Sequence, residues 1–398
     1  MSDRSYLDHA ATTAMLPGAR AAWLAASEHL GNPSSLHASG RFARKVVEES
    51  RESIAADLMT RPSAVIFTAG GTEANNLAVK GLYWQRQQVL GNNEPLRVLA
   101  SAIEHHAVMD PVAWLGEHEG ASIEWLRVDH DARVSTTAIA ESLAAASNVA
   151  LCTVMWANNE VGTIEPVDRI AELCREFGVP FHTDAVQTLG QVPMNLGALG
   201  ADAVTISSHK IGGPFGVGAL IVNPVTGFTP VMHGGGQERD IRSGTLDAPA
   251  IAAFAVAVRN AVEHQVEHAR HLRQLRNALV KGVLATVPGA VLNGDPDLLD
   301  GGRLPANAHF SFPGCEGDSL LMLLDAAGVD CSTGSACTAG IPEASHVLLA
   351  MGVDEHTSRA SLRFSFGYLS TAADVDRVIA ALPGAVDRAK RSASSRSS

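Results

Sequence analysis

Three side chains with different chemistry follow short apolar runs of the sequence. His105 comes after the run at 97–102, Asp184 ends the run at 180–183, and Lys210 comes after the run at 203–207. An ionised carboxylate at the end of a buried strand needs a partner, because burial of an unpaired charge is costly. A lysine in such a place is either an ion-pair partner or an amine whose lowered pKa makes it a nucleophile. Considered singly, Asp184 also suits a helix N-cap and His105 a cap or surface residue.

A turn that could bind an anion lies earlier in the chain. Gly70, Gly71 and Thr72 separate an apolar run from a helix-like segment. Two glycines permit a tight turn, and Thr72 would cap a helix whose free N–H groups and dipole favour negative charge. The turn has neither the G-x-G-x-x-G pattern nor that of a P-loop, so it does not predict nucleotide binding. A plain capped helix is the alternative.

Together these four features predict a pyridoxal phosphate site. That cofactor needs a lysine for a Schiff base and a carboxylate for its ring nitrogen, and the protein must also hold its phosphate and cover its ring. Lys210, Asp184, the turn at 70–72 and His105 supply these functions in that order. Parallel strands share their carboxyl edge, so we expect the four features to converge there.

The segment 331–342 carries a cysteine in unusual surroundings. Its sequence is Cys-Ser-Thr-Gly-Ser-Ala-Cys-Thr-Ala-Gly-Ile-Pro, so small residues and not large apolar ones surround Cys337. This pattern favours a loop thiol that acts as a nucleophile over a core cysteine. Cys331 lies beside an apolar run and is predicted to be structural. Five cysteines in 398 residues are not typical of a disulfide framework, which favours reduced thiols and a cytoplasmic location.

Elements that could position these residues are visible in the hydrophobic pattern. Short runs rich in Val, Ile and Leu alternate with helix-like segments; they lie at 64–68, 97–102, 149–156, 180–183, 203–207 and 218–222. Such runs are typical of a parallel sheet covered on both faces by helices. Beyond residue 244, the stretch 248–280 is helix-like and 309–312 alternates as a strand does. We predict an α/β protein with a large domain at 17–263, a smaller α+β domain at 1–16 and 264–390, and a disordered tail at 391–398.

Composition excludes several classes of protein. A chain of 398 residues exceeds one small domain, and 46% hydrophobic residues argue for a large core and against general disorder. The net charge is −12 and no basic block is present, so direct nucleic-acid binding is not expected. No signal peptide and no apolar run long enough to cross a membrane are apparent.

The chain resembles the cysteine desulfurases, pyridoxal phosphate enzymes of the class-V aminotransferase family. The resemblance runs from Tyr6 to about residue 370; its motifs lie at 6–13, 31–37, 67–73, 104–108, 158–162, 182–187, 207–210, 233–239, 242–245, 334–338 and 361–365. The spacing after Cys337 is similar to the housekeeping and nitrogen-fixation type, which has the longer active-cysteine loop. The resemblance implies the fold-type-I architecture of pyridoxal phosphate enzymes. His106 departs mildly from the family pattern, in which lysine is frequent.

The resemblance also implies residue roles. Lys210 would form the Schiff base, Asp184 would pair with the ring nitrogen, and His105 would stack on the ring and could pass protons. Further cofactor contacts would come from Gly71, Thr72, Asn159, Gln187, Ser207, His209 and, across a homodimer, Thr245. The substrate contacts would come from Asn159, Arg363 and Asn32.

The implied activity is conversion of L-cysteine to L-alanine. Cys337 would receive the sulfur as a persulfide and pass it to an acceptor, such as an iron–sulfur scaffold protein or a component of transfer-RNA thiolation. Neither a membrane nor direct contact with nucleic acid is implied.

Other functions remain open at this level. His264 and His268 are four residues apart on a helix-like segment, but no His-Glu-x-x-His or Cys-x-x-Cys motif supports a metal site. A non-catalytic sulfur carrier would not need Lys210 or Asp184. An aminotransferase would share the cofactor site but would have no use for Cys337. Selenocysteine lyase activity is a close neighbour of the predicted reaction.

Overall fold

The computed structural model describes residues 4–91, 95–299, 301–333 and 344–396, with side chains up to Ser392. Cys337 lies outside the described residues. The strands in the described ranges are β1 (Ser5–Tyr6), β2 (Val65–Thr68), β3 (Arg97–Ser101), β4 (Ser122–Leu126), β5 (Val149–Thr153), β6 (Phe181–Asp184), β7 (Ala203–Ser207), β8 (Gly218–Val222), β9 (Val291–Leu292), β10 (Asn307–Ser311), β11 (Val329–Asp330) and β12 (Ser361–Ser365).

The described ranges also contain thirteen α-helices. They are α1 (Pro17–Ser27), α2 (Ala38–Asp57), α3 (Gly71–Leu90), α4 (His106–Glu119), α5 (Thr136–Ala144), α6 (Val167–Glu176), α7 (Leu196–Leu199), α8 (Ala248–Glu263), α9 (Gln265–Thr286), α10 (Gly317–Ala326), α11 (His346–Ala350), α12 (Glu355–Arg359) and α13 (Ala372–Arg396).

A mainly parallel sheet forms the centre of the molecule. Its spatial order is β2-β8-β7-β6-β5-β3-β4, and only β8 runs against its neighbours. The carboxyl ends of β2, β3, β5, β6 and β7 therefore meet at one edge, where the candidate site residues follow them.

Burial explains why these runs became strands. Every residue of β5, β7 and β8 is buried, and a separate hydrophobic cluster covers each face of the sheet. All six predicted runs form strands. The edge strand β4 was not predicted, because its sequence Ser-Ile-Glu-Trp-Leu is half exposed and lacks a continuous apolar run.

A second sheet lies in the C-terminal part of the chain. It has the order β12-β10-β9, and β1 pairs with β11 to join the N-terminus to this region. The hydrophobic core around this sheet contains Leu7 and residues between Leu272 and Ala389. The core on one face of the large sheet contains no residue beyond Val262 among those described. These separate cores support the domain division at 17–263, which stays a prediction.

Two helical segments differ from expectation. The stretch 248–280 is two helices, because the chain leaves helical geometry at His264 between α8 and α9. The tail predicted from residue 391 is helical as far as Arg396. Its Ser, Ala and Arg residues are compatible with a helix, so α13 continues through them. Across the described ranges, no helix is both long and apolar enough to cross a membrane.

Candidate active site

A cavity of about 230 Å³ opens at the carboxyl edge of the large sheet. It brings together nine residues that the sequence predicted: Gly71, Thr72, His105, Asn159, Asp184, Gln187, Ser207, His209 and Lys210. Asn75, Ala107, Met155, Ala157 and Val186 complete the lining. The side chains that follow separate strands therefore converge as expected.

Lys210 approaches the cavity from a single helical turn after β7. Its Nζ donates to the carbonyl oxygens of Ala10 (2.5 Å) and Ala11 (2.8 Å) in the N-terminal segment. Burial lowers the pKa of Lys210 to about 8, and Arg363 acts in the same direction against the attraction of Asp184 and Asp8. An appreciable fraction of this lysine is therefore a neutral amine near neutral pH, as a nucleophile requires.

This lowered pKa predicts how attachment of a carbonyl compound to Lys210 depends on pH. The neutral amine reacts, so the rate in the cofactor-free protein should rise with pH and level off above about 8. Rapid-mixing absorbance measurements with pyridoxal phosphate across that range would measure it. A rate that keeps rising until the pH reaches about 10.5, the usual pKa of a lysine, would show that the pKa of Lys210 is not lowered.

Asp184 ends β6 and is only 6% exposed. Its Oδ2 accepts a hydrogen bond from Asn75 Nδ2 (2.7 Å), and its Oδ1 accepts one from the Val186 amide (2.9 Å). These donors fix the carboxylate on the cavity wall. Sequence reasoning missed Asn75, although its place four residues after Gly71 puts both on one face of α3.

The first turn of α3 forms a cradle of suitable shape for a phosphate. A Cβ at Gly71 would lie 3.0 Å from Val186 Cγ2 and 3.6 Å from Ser207 Cβ, so glycine leaves the backbone open there. Ser207 Oγ is buried and has no hydrogen-bond partner among the described residues. A buried hydroxyl without a partner is uncommon, and a phosphate oxygen beside the helix N-terminus would satisfy it.

Two histidines in the cavity are held neutral. His105 caps α4, and its Nδ1 accepts a hydrogen bond from the Ala107 amide (3.0 Å). The neutral ring therefore carries its proton on Nε2. Burial lowers the pKa of His105 even though Asp184 opposes this effect. Burial also lowers the pKa of His209 to about 4, with Lys210 acting in the same direction.

Arg363 lies on β12 and is 5% exposed. Its Nη2 donates to Asp8 Oδ1 (2.8 Å), and its Nη1 donates to the backbone oxygen of Asn159 (2.9 Å). Its Nε is buried and has no acceptor among the described residues. Because Asn159 lines the cavity, this contact places the guanidinium next to the cavity wall.

Two other predicted residues lie apart from this cavity. Asn32 is exposed in the connection between α1 and α2, where its Oδ1 accepts a hydrogen bond from the Ser34 amide. Thr245 is exposed in the segment before α8. The expected role of Thr245 needs a second subunit, and the roles of both residues stay predictions. Cys337, as noted, is outside the described part of the chain.

The donor set fits pyridoxal phosphate. It combines an amine of lowered pKa, a buried carboxylate, a glycine cradle and an unpartnered hydroxyl around one cavity. A protein-family model described as Aminotransferase class-V matches residues 5–378. The chain belongs to the class-V aminotransferase family.

Similar proteins refine this assignment. The chain is 54% identical to an IscS-like cysteine desulfurase of Mycobacterium tuberculosis (strain ATCC 25618 / H37Rv), with 98% of each chain covered. It is 39% identical to the cysteine desulfurase IscS of Clostridium botulinum (strain Kyoto / Type A2), covering 96% of this chain and 94% of that protein. A solved NifS-like protein from Rickettsia africae ESF-5 matches with a TM-score of 0.85 and 32% identity, covering 96% and 99%.

Within the class-V aminotransferase family, the chain falls among the cysteine desulfurases. The predicted fold class, family and cofactor are thereby confirmed. The metal-site alternative has no geometric support in the described ranges, which hold no group of three or more His, Cys, Asp or Glu side chains able to bind an ion. His264 and His268 stack with their ring centroids 5.5 Å apart.

Proposed function

We propose that the protein takes sulfur from L-cysteine, leaves L-alanine, and carries the sulfur on Cys337 to an acceptor. One observation carries this proposal: the Lys210 amine faces the same cavity as Asp184 and the unpartnered Ser207 hydroxyl. Full-length relatives named cysteine desulfurases support the choice of reaction.

The cavity residues have separate tasks toward the cofactor. Bound pyridoxal phosphate supplies an electron sink that makes bonds to the substrate Cα labile. Lys210 would hold the cofactor covalently and, when released, can take or return a proton at Nζ. Asp184 would keep a proton on the ring nitrogen, and Gly71, Thr72 and Ser207 would hold the phosphate. His105 would cover the ring.

Substrate recognition would fall to Arg363 and Asn159. The guanidinium of Arg363 is oriented by Asp8 and by the Asn159 carbonyl, and its Nε has no acceptor among the residues that the structure describes. A planar fork held in this way suits the carboxylate of an amino acid.

Replacement of Arg363 by alanine should therefore raise KM for L-cysteine. A hydrogen bond to a charged group contributes about 1.5–3 kcal/mol, which corresponds to a KM increase of roughly 10–150-fold. Steady-state alanine formation would measure it. Arg359→Ala is the matched control, because Arg359 is half exposed and pairs with Glu355. An unchanged KM in Arg363→Ala would remove Arg363 from substrate binding.

Sulfur transfer would use the Cys337 thiolate. An S–S bond forms between Cys337 Sγ and the substrate sulfur while the substrate Cβ–S bond breaks. The electron pair of the broken bond stays with the carbon fragment, which takes up a proton and leaves as L-alanine. The products are one persulfide and one alanine for each cysteine, so this step needs no external oxidant or reductant.

The finer assignments also belong to this proposal. The acceptor is an iron–sulfur scaffold protein or a component of transfer-RNA thiolation, and the enzyme acts in the cytoplasm as a homodimer. Leu30 and Leu36, which are 92% and 81% exposed, flank Asn32 and support a partner surface there. Light scattering of the purified protein would test the dimer.

The proposed reaction is tested by measuring alanine and sulfide from L-cysteine with a reductant. Equal amounts of the two products support a desulfurase. Alanine without sulfide, or sulfide without alanine, would contradict the desulfurase assignment and support only a pyridoxal phosphate enzyme of another activity. Absence of both, together with no absorbance from bound cofactor, would favour a sulfur carrier.

A further inference from the structure

A second carboxyl group lies behind the cofactor cavity. Glu104 directly precedes His105 and is fully buried. Its Oε1 accepts a hydrogen bond from the Met155 amide (2.6 Å), and its Oε2 has no partner among the described residues. Neither the sequence motifs nor the proposed reaction assigns it a task.

Glu104 connects two walls of the cavity. His105 and Ala107 stand on the wall that follows β3, and Met155 and Asn159 stand on the wall that follows β5. The Glu104 side chain spans these walls through the Met155 amide. Its backbone carbonyl lies 2.9 Å from His346 Nε2, which joins α11 to the same point.

In the described part of the chain, the charged groups that act on Glu104 are carboxyls. Asp184 and Glu165 both disfavour its ionised form, and the Cys152 thiol also interacts with it electrostatically. No described residue forms an ion pair with it, and the segment 334–343 contains no Lys, Arg or His. Burial, the largest cause, raises the pKa of Glu104 well above its ordinary value.

The Glu104 carboxyl receives little hydrogen bonding that could stabilise an anion. Two neighbouring carboxyl groups in a buried place do not both ionise readily. Asp184 accepts two hydrogen bonds, from Asn75 and Val186, whereas Glu104 accepts one, from Met155. The buried Glu104 carboxyl has one donor and an Oε2 without a partner among the described residues, which stabilises an anion poorly, so the proton belongs on Glu104.

We propose that Glu104 is a positioning residue that acts as an uncharged carboxylic acid and holds the His105 wall of the cavity against the Met155 wall. This proposal rests on the proposed function only for the identity of the cofactor. A neutral brace holds the two walls at a fixed separation without adding charge next to Asp184.

The test compares Glu104→Gln with Glu104→Leu in the cofactor-loaded protein. Glutamine keeps the acceptor for the Met155 amide and carries no charge, so kcat, cofactor affinity and the pH midpoint of the cofactor absorbance should all match wild type. Leucine removes the acceptor, so cofactor affinity should fall by about tenfold, as loss of one buried hydrogen bond implies. An ionised Glu104 predicts instead that Glu104→Gln moves the absorbance midpoint by more than about half a pH unit.

Glu165 supplies a matched control. It is also buried, its Oε2 accepts a hydrogen bond from the Val134 amide, and burial raises its pKa to about 8. Unlike Met155, Val134 does not line the cavity. Glu165→Gln and Glu165→Leu should leave cofactor affinity and the absorbance midpoint unchanged. If Glu165→Leu lost cofactor affinity to the same extent as Glu104→Leu, Glu104 would contribute only to the general stability of the fold.

Thermal unfolding gives a readout that needs no substrate. The folded protein keeps the Glu104 proton, whereas the unfolded chain releases it above the usual glutamate pKa of 4.5. Wild type should therefore lose stability relative to Glu104→Gln as the pH rises from about 5 to about 8. The proposal would be overturned if the Tm difference between wild type and Glu104→Gln were the same at pH values of about 5 and about 8. A shift of the absorbance midpoint of Glu104→Gln away from that of wild type would also overturn it. If Glu104→Leu does not fold, these two glutamine measurements decide the question. They use no L-cysteine, so failure of the desulfurase assay in wild type would count only against the proposed function.

Discussion

Lys210→Ala should abolish the absorbance of covalently bound cofactor and nearly all turnover. Alanine cannot form a Schiff base, and it cannot exchange a proton with the substrate Cα. Loss of a positioned acid–base group costs about 10²–10⁴-fold in rate, and loss of the covalent attachment adds to that cost. Absorbance after dialysis and alanine release would measure the two effects separately.

The matched control for this change is Lys45→Ala. Lys45 is an exposed residue of α2 that pairs with Glu49 at the surface, so its loss should alter neither property. Lys210→Arg separates charge from chemistry, since arginine keeps a cation near the Ala10 and Ala11 carbonyls but stays protonated. Full absorbance of bound cofactor in Lys210→Ala would refute the assignment of this lysine.

Cys337→Ala should keep the absorbance of bound cofactor but lose turnover. Lys210, Asp184 and the turn at Gly71 are unaltered in this variant, so the cofactor should bind to Lys210 with unchanged absorbance. Without a thiolate no S–S bond can form, so alanine and sulfide should fall to the background level, at least about 10²-fold below wild type. Product assays run beside the absorbance spectrum would show binding without turnover.

Cys331→Ala is the control for the missing thiol. Burial raises the pKa of Cys331 to about 12, with Asp8 and Asp330 acting in the same direction, so its thiol stays protonated and is a poor nucleophile. Activity in Cys331→Ala should stay within about twofold of wild type, in line with a change that leaves the reacting groups in place. Turnover that survives in Cys337→Ala but disappears in Cys331→Ala would contradict the assignment to Cys337 and place sulfur transfer on Cys331.

The strands of the large sheet could be predicted because each is encoded by a short run of apolar residues. Six runs of Val, Ile and Leu became strands buried on both faces. The site residues at the ends of β3, β6 and β7 appeared together at the shared carboxyl edge. Strand β4 escaped prediction because an edge strand faces solvent and loses the apolar signal. The break at His264 escaped because the residues on both sides favour a helix.

By itself, the sequence determined which chemistry is present and at which strand ends it lies. Lys210, Asp184, His105 and the turn at 70–72 were found from residue type and local periodicity alone. The tertiary structure alone decided how these groups are tuned. Asn75 reaches Asp184 across 109 residues of chain, and Asp8 reaches Arg363 across 355. Such pairs leave no pattern in the local sequence, because they depend on which elements pack together in the fold. The burial that lowers the pKa of Lys210 and raises the pKa of Glu104 depends on the same packing.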